Sequence, residues 1–189
     1  MRIWTIVGIA SVFVLIGQGC AGPEKVAMPT LLLPSVQQGT MQLTSTAFTQ
    51  GQPIPSTYSC DGRNVNPPLT ISDVPTSAQS LALIMDDPDV PAAAGVKVWD
   101  HWVVFNLSPT LTSIGENEQP PGVRGKGTRG SLSYGGPCPP DREHRYFFKL
   151  YALDAMLDLK EGATKADLES AMSGHVIEQA ELMGTYVRK

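Results

Sequence analysis

Ser80-Leu81-Ala82-Leu83-Ile84-Met85 runs directly into Asp86-Asp87-Pro88-Asp89-Val90-Pro91. This junction constrains the fold more than any other stretch. An uncharged run of six residues without a helical period reads as a strand buried on both faces. Such a strand needs a partner on each edge. It also delivers a cluster of carboxylates to the end of a sheet, where pockets form. Pro88 and Pro91 fix φ on either side of Asp89 and stiffen the turn.

Two further stretches read as strong strands. Trp99 to Leu107 is rich in aromatic and β-branched residues, and Arg145 to Leu153 reads Arg-Tyr-Phe-Phe-Lys-Leu-Tyr-Ala-Leu. Met41 to Ser45 alternates as a strand, and Leu69-Thr70-Ile71 is a shorter one. Between them, Gly51 to Pro55 is a turn. Tyr58 to Pro68, with Asp61-Gly62 and Pro67-Pro68, is a structured loop. Thr110 to Tyr134 is weakly patterned, with seven glycines between Gly115 and Gly136, and reads as surface loop. One helix is expected near the C-terminus. Thr164 caps it with Asp167 three residues on. Leu168, Met172, Val176, Ala180 and Met183 recur at helical spacing, with Gly174 inside and Gly184 as the stop. Thr185-Tyr186-Val187 is then a last short strand. Strands dominate and no βα alternation appears, which excludes a parallel nucleotide-binding sheet.

The first 19 residues carry Arg2 and then an apolar run from Ile3 to Ile16, followed by small residues. The run is short for a membrane span and reads as an export signal. Cys20 stands where a lipoprotein signal places its acylated cysteine, although Gly17 occupies a position where leucine is usual. Cleaved soluble export and an uncleaved anchor are the alternatives. The expected organisation is a signal over 1–19, a lipidated Cys20 with a flexible tether to residue 40, and one domain over 41–189. If Cys20 carries lipid, Cys60 and Cys138 remain, as a disulfide in an oxidising compartment or as two small buried thiols.

Formal net charge is −4, which argues against a nucleic-acid partner. Arg124, Lys126 and Arg129 lie in the glycine-rich loop and read as a solvated face, or else as a site for an anionic partner. Asp87 and Asp89 either bond turn amides or present carboxylates to a pocket. His101 lies on a strand, so alternation places it on the face of Val103 and Phe105, opposite Trp102 and Val104. His144 follows a proline-rich loop, and His175 reads as helix packing. Gly135-Gly136-Pro137-Cys138-Pro139-Pro140 allows close main-chain approach to a ligand, with amides suited to an anion. An acidic rim at Asp87 and a His/Gly/Pro rim at Gly136 and His144 together suit a zwitterionic headgroup. No nucleophile is identified: Ser131 and Ser133 lack a Gly-x-Ser-x-Gly elbow. No helical His-x-x-x-His pair marks a metal site. An enzyme, a cofactor and a metal are therefore not expected.

Asp87-Pro88-Asp89-Val90-Pro91, Trp99-x-His101-Trp102, Tyr134 to Pro140 and His144-Arg145-Tyr146 resemble the signature segments of the phosphatidylethanolamine-binding protein (PEBP) family. The bacterial Raf kinase inhibitor-like branch is the nearest match. Tyr58 to Gly62, Asn66 to Leu69 and Tyr151 to Asp154 resemble that branch too, in the same order along Met41 to Lys189. The resemblance implies a mainly β fold, an antiparallel β-sandwich with a C-terminal helical segment. It also implies a small pocket for phosphate-like anions or phospholipid headgroups. Asp87, His101, His144 and Tyr146 carry over as pocket residues, with Pro91, Trp99, Cys138 and Pro140 as walls and Arg145 as a support. Val90 departs from the usual alanine, and Asp100 adds a charge beside His101. The expected function is an exported, membrane-anchored binding protein that takes a phosphorylated small molecule or a headgroup such as phosphoethanolamine. The alternative is an envelope regulator or protease inhibitor acting by contact with a protein partner.

Overall fold

A computed structural model describes residues 40–188. The expected signal segment, Cys20 and the expected tether lie outside the described residues.

The fold grows outward from β3 (Ser80–Asp87), all eight residues of which are buried. It pairs antiparallel with β4 (Trp99–Leu107) on one edge and with β7 (His144–Leu153) on the other. Beyond these lie β6 (Val123–Arg124) and β8 (Val176–Tyr186), giving a five-stranded sheet in the order β6-β4-β3-β7-β8. A smaller antiparallel sheet holds β1 (Gln42–Thr44), β2 (Leu69–Ser72) and β5 (Ser113–Ile114) in the order β1-β2-β5. The mainly β, antiparallel expectation therefore holds.

Two cores explain why β3 lacks polar alternation. On one face, Leu81, Leu83 and Met85 pack with Trp102, Phe148 and Leu150, and with Leu43, Leu69 and Ile71 of the small sheet. On the other, Ala82 and Ile84 pack with Val103, Phe105, Leu153, Leu168 and Met172. Apolar residues are required on both faces, so the period-two signal disappears.

The helix is shorter than its spacing predicts. α1 spans Lys165–Met172, begins at the expected Thr164–Asp167 capping box, and stops before Gly174, whose φ is +83°. Val176, Ala180 and Met183 are not helical. They lie in β8, which pairs with β7 along almost its whole length, and Gly184 is a strand residue opposite Tyr146. The helical spacing of these three is a coincidence: only Ala180 packs on the core, Val176 is exposed, and Met183 alternates to the face opposite Leu182. His175 does not pack in a helix. It is exposed, with Nδ1 2.8 Å from Asp154 Oδ1.

Cys60 and Cys138 form a disulfide, with Cα atoms 5.4 Å apart. It fastens the Tyr58–Pro68 loop to the Gly135–Pro140 segment, which is also held by the Cys60 N–H donating to the Pro137 carbonyl at 3.0 Å. Closing a loop with a sequence separation of 78 restricts the unfolded chain strongly. A Cys60→Ser/Cys138→Ser double variant should lose about 2–4 kcal/mol in urea unfolding under non-reducing conditions.

Candidate ligand-binding pocket

One irregularity in β4 builds the site. Met85 pairs with Trp102 and Asp86 with Asp100, so His101 is an extra residue on β4, a β-bulge. Strict alternation would send His101 to the Val103 and Phe105 face. The bulge instead brings it to the same face as Asp87 and Trp99, and all three line one cavity of about 380 Å³. Asp100 is rotated to the opposite face, where Lys165 Nζ lies 3.3 Å from its carboxylate. Asp86 also faces that side and pairs with Lys149 and Lys165. The two acids at the end of β3 thus divide between the faces: Asp86 joins the helix-side charge cluster, and Asp87 enters the pocket.

His144, the first residue of β7, is fully enclosed. Its Nδ1 lies 2.8 Å from Asp87 Oδ2, and its Nε2 lies 2.8 Å from Asp141 Oδ1. Burial pulls the ring pKa down, but the bonds and charges of the two carboxylates outweigh burial, and the net shift is upward. With an acceptor on each nitrogen, the ring is held as an imidazolium. Asp87 Oδ1 also accepts the Asp89 N–H at 2.7 Å, so the stiff turn orients the carboxylate.

His101 has the opposite character. Burial holds its pKa down at about 4, only partly opposed by the Gly135 carbonyl. Its Nδ1 lies 2.7 Å from that carbonyl oxygen, which only accepts. The neutral ring therefore carries its proton on Nδ1 and leaves Nε2 as an acceptor. Tyr146 packs edge-on to His101, with centroids 5.3 Å apart. It forms a layer behind the cavity lining: its hydroxyl is buried close to Asp87 and the Cys138 backbone without a well-aligned bond to either. Burial, then Asp87, pushes the phenol pKa up.

The walls are Pro91, Trp99, Cys138 and Pro140, joined by Val90, Ala93, Ala94 and Pro139. Asp89 and Gly136 are placed elsewhere. Asp89 accepts two bonds from the Arg145 guanidinium, at 2.7 and 2.8 Å, and one from the Arg145 N–H at 3.0 Å, clamping the turn onto β7. The Gly136 N–H donates to Asn64 Oδ1 at 2.7 Å, so that amide is engaged by protein. A Cβ at Gly136 would come within 2.2 Å of the Tyr58 carbonyl, which is why glycine is needed there.

One contributor was left open in the sequence, Arg129, and another, Asp141, was missed. Arg129 lines the cavity, with its guanidinium 5.9 Å from the Trp99 ring centroid. It sits at the tip of a turn anchored by the Thr128 N–H to the Asp100 carbonyl, 2.9 Å, and by the Asp100 N–H to Thr128 Oγ1, 2.8 Å. Of the two readings kept for this loop, Arg129 lies at the cavity, while Arg124 pairs with Glu161 at the surface. No local pattern marks Arg129, because the bulged strand positions it. Asp141 did have a signal, its spacing of three residues from His144. Among the described residues, no group of three or more His, Cys, Asp or Glu is arranged to hold a metal ion.

Comparison with known proteins identifies the fold. A family model described as phosphatidylethanolamine-binding protein matches residues 44–187. The chain belongs to the phosphatidylethanolamine-binding protein family. A UPF0098 protein of Chlamydia muridarum is 53% identical over 147 residues, covering 77% of this chain and 98% of the relative. One from Methanothermobacter thermautotrophicus is 51% identical over 154 residues, covering 78% and 99%. Among solved structures, a PEBP homologue from Chlamydia trachomatis superposes with a TM-score of 0.77 at 52% identity, covering 79% of this chain and 99% of that one. E. coli YbcL, described as a new member of the mammalian PEBP family, superposes with a TM-score of 0.73 at 29% identity, covering 80% and 100%.

In this PEBP domain the Asp89–Arg145 clamp generates a pH prediction. Hydrogen bonding to Arg145 holds the Asp89 pKa at about 2, below the ordinary carboxylate value. Its stabilisation is present above the unfolded-state pKa and is lost as pH falls through the folded one. Thermal unfolding followed from pH 5 to pH 2 should show Asp89→Asn less stable than the parent at pH 5. The difference should shrink towards pH 2.

Proposed function

We propose that the chain is an exported, membrane-anchored binding protein of the bacterial Raf kinase inhibitor-like branch. Its pocket takes phosphate-like anions or phospholipid headgroups such as phosphoethanolamine. The observation that carries this reading is Arg129. Among the described residues it makes no ion pair, and it stands over Trp99 at a cavity that also holds the Asp87–His144 pair. A guanidinium on an aromatic wall suits a phosphate. Asp87 and the unprotonated His101 Nε2 are acceptors, and suit the ammonium end of a zwitterion. Pro91, Ala93, Ala94 and Pro140 give an apolar surface for the carbons between. Among the described residues that line this cavity there is no serine, threonine, lysine or free cysteine, and binding rather than turnover is the activity proposed.

Calorimetric titration of the full-length protein with phosphoethanolamine should show binding at millimolar concentration or better. Arg129→Ala should weaken it about tenfold, the loss of one charge-assisted contact at 1.4 kcal/mol per decade. Affinity should also fall as pH rises through the His144 pKa, because the imidazolium loses its charge. Absence of binding by any phosphorylated headgroup at millimolar concentration rejects the reading. The anchor is tested separately. The parent should partition with membranes, and Cys20→Ser should release the acyl-dependent fraction to the soluble phase.

A further inference from the structure

His144 presents a contradiction within that reading. It is the charged group deepest in the site, yet neither ring nitrogen is free. Asp87 takes Nδ1 from inside, and Asp141 takes Nε2 from outside, each at 2.8 Å. The two carboxylates differ in kind. The Asp87 side chain is 4% exposed, lies on β3 and is fixed by the Asp89 N–H. The Asp141 side chain is 41% exposed and sits in a loop between Pro140 and β7. Its second oxygen pairs with Arg142 at 2.8 Å, and Arg142 in turn donates to the Asp89 carbonyl at 3.1 Å.

Two hollows meet at this loop. Pro139 and Pro140 line the pocket of about 380 Å³ and also a neighbouring hollow of about 230 Å³, which includes Asp141, Arg142 and Arg188. Asp141 therefore stands at the wall between them, and its carboxylate covers the outer nitrogen of His144.

We propose that Asp141 is a resident competitor: an incoming anion gains His144 Nε2 only by displacing the Asp141 carboxylate. This rests on the anion-binding reading above and deepens it by naming the residue that sets how tightly an anion must bind to reach His144. An intramolecular carboxylate on a short loop competes at an effective concentration in the millimolar range or above. Occupancy of His144 by Asp141 lowers the apparent affinity of every external anion by the fraction of time the nitrogen is free. A carboxylate ligand offers little that Asp141 does not already supply, so it displaces Asp141 only weakly. A phosphomonoester brings a charge of about −1.5 to −2 and a third oxygen. It can meet His144 and Arg129 together, and displaces Asp141. Charge and Arg129 thereby favour phosphomonoesters over carboxylates, and Asp141 raises the affinity that either must supply.

The test uses the full-length protein and its Asp141→Asn and Asp141→Ala variants, titrated at about pH 6 with inorganic phosphate, phosphoethanolamine, glycerophosphoethanolamine and acetate. The amide keeps the shape of the carboxylate without its charge, and the alanine removes both. Position 141 is exposed, and melting curves will confirm that both variants remain folded. Phosphate should bind both about tenfold more tightly than it binds the parent. Acetate should gain by a similar factor, because a resident competitor lowers the affinity of every anion for that nitrogen alike. In the parent, the His144 Nε2 resonance should shift on phosphate addition, reporting exchange of its partner. Equal or weaker phosphate binding by both variants, with the parent still binding phosphoethanolamine, overturns the resident-competitor proposal and leaves the anion-binding reading standing. Binding by neither parent nor variants overturns both. A preference of the parent for glycerophosphoethanolamine over phosphoethanolamine would assign the site to diester headgroups and overturn the monoester selectivity.

Discussion

β3 is enclosed on every side, and the rest of the structure follows from that constraint. Both its edges are hydrogen-bonded and both its faces are packed, so a polar side chain within it must find a partner or be placed at an end. The acids occur at the end. Asp86 turns to the helix side and meets two lysines, while Asp87 turns to the pocket side and meets an enclosed histidine. A carboxylate buried without such partners would be strongly destabilising. The same strand that anchors the cores therefore dictates that charge of the opposite sign stands on each face at its C-terminal end.

The pocket is a product of that end. A single extra residue in β4 brings His101 around to Asp87, and a disulfide fastens the wall that carries Cys138 to a distant loop. The two histidines are then driven apart in character by what surrounds them. His101 sees a carbonyl and burial, and stays neutral. His144 sees two carboxylates and holds its proton. One site thus combines an acceptor, an enclosed cation and a guanidinium over an aromatic ring, a composition that suits the ligand proposed above.

Much of this was legible beforehand in local terms. The run Ser80 to Met85 had no other reading than a buried strand, and Trp99 to Leu107 and Arg145 to Leu153 had the composition of its neighbours. The Thr164–Asp167 box began the helix where expected. Its end was misread because Val176, Ala180 and Met183, beyond Gly174, fall at helical spacing although they lie in a strand and do not share one face. Asp87, His101 and His144 were recognised through motif segments, but their protonation states were not, because these depend on the Gly135 carbonyl and on Asp141. Gly136 was given a role for its amide that Asn64 already occupies.

By itself the sequence determined which segments form strands, which turns are stiff, and which residue types follow the central apolar strand. Those are local properties, set by side-chain period, by proline and glycine, and by capping chemistry. Only the tertiary structure decided which face each residue occupies at the bulge, that Arg129 reaches Trp99, and that Asp141 caps His144. These depend on strand register and on the packing of a loop against a distant strand. A shift of one residue in register sends a side chain to the opposite face.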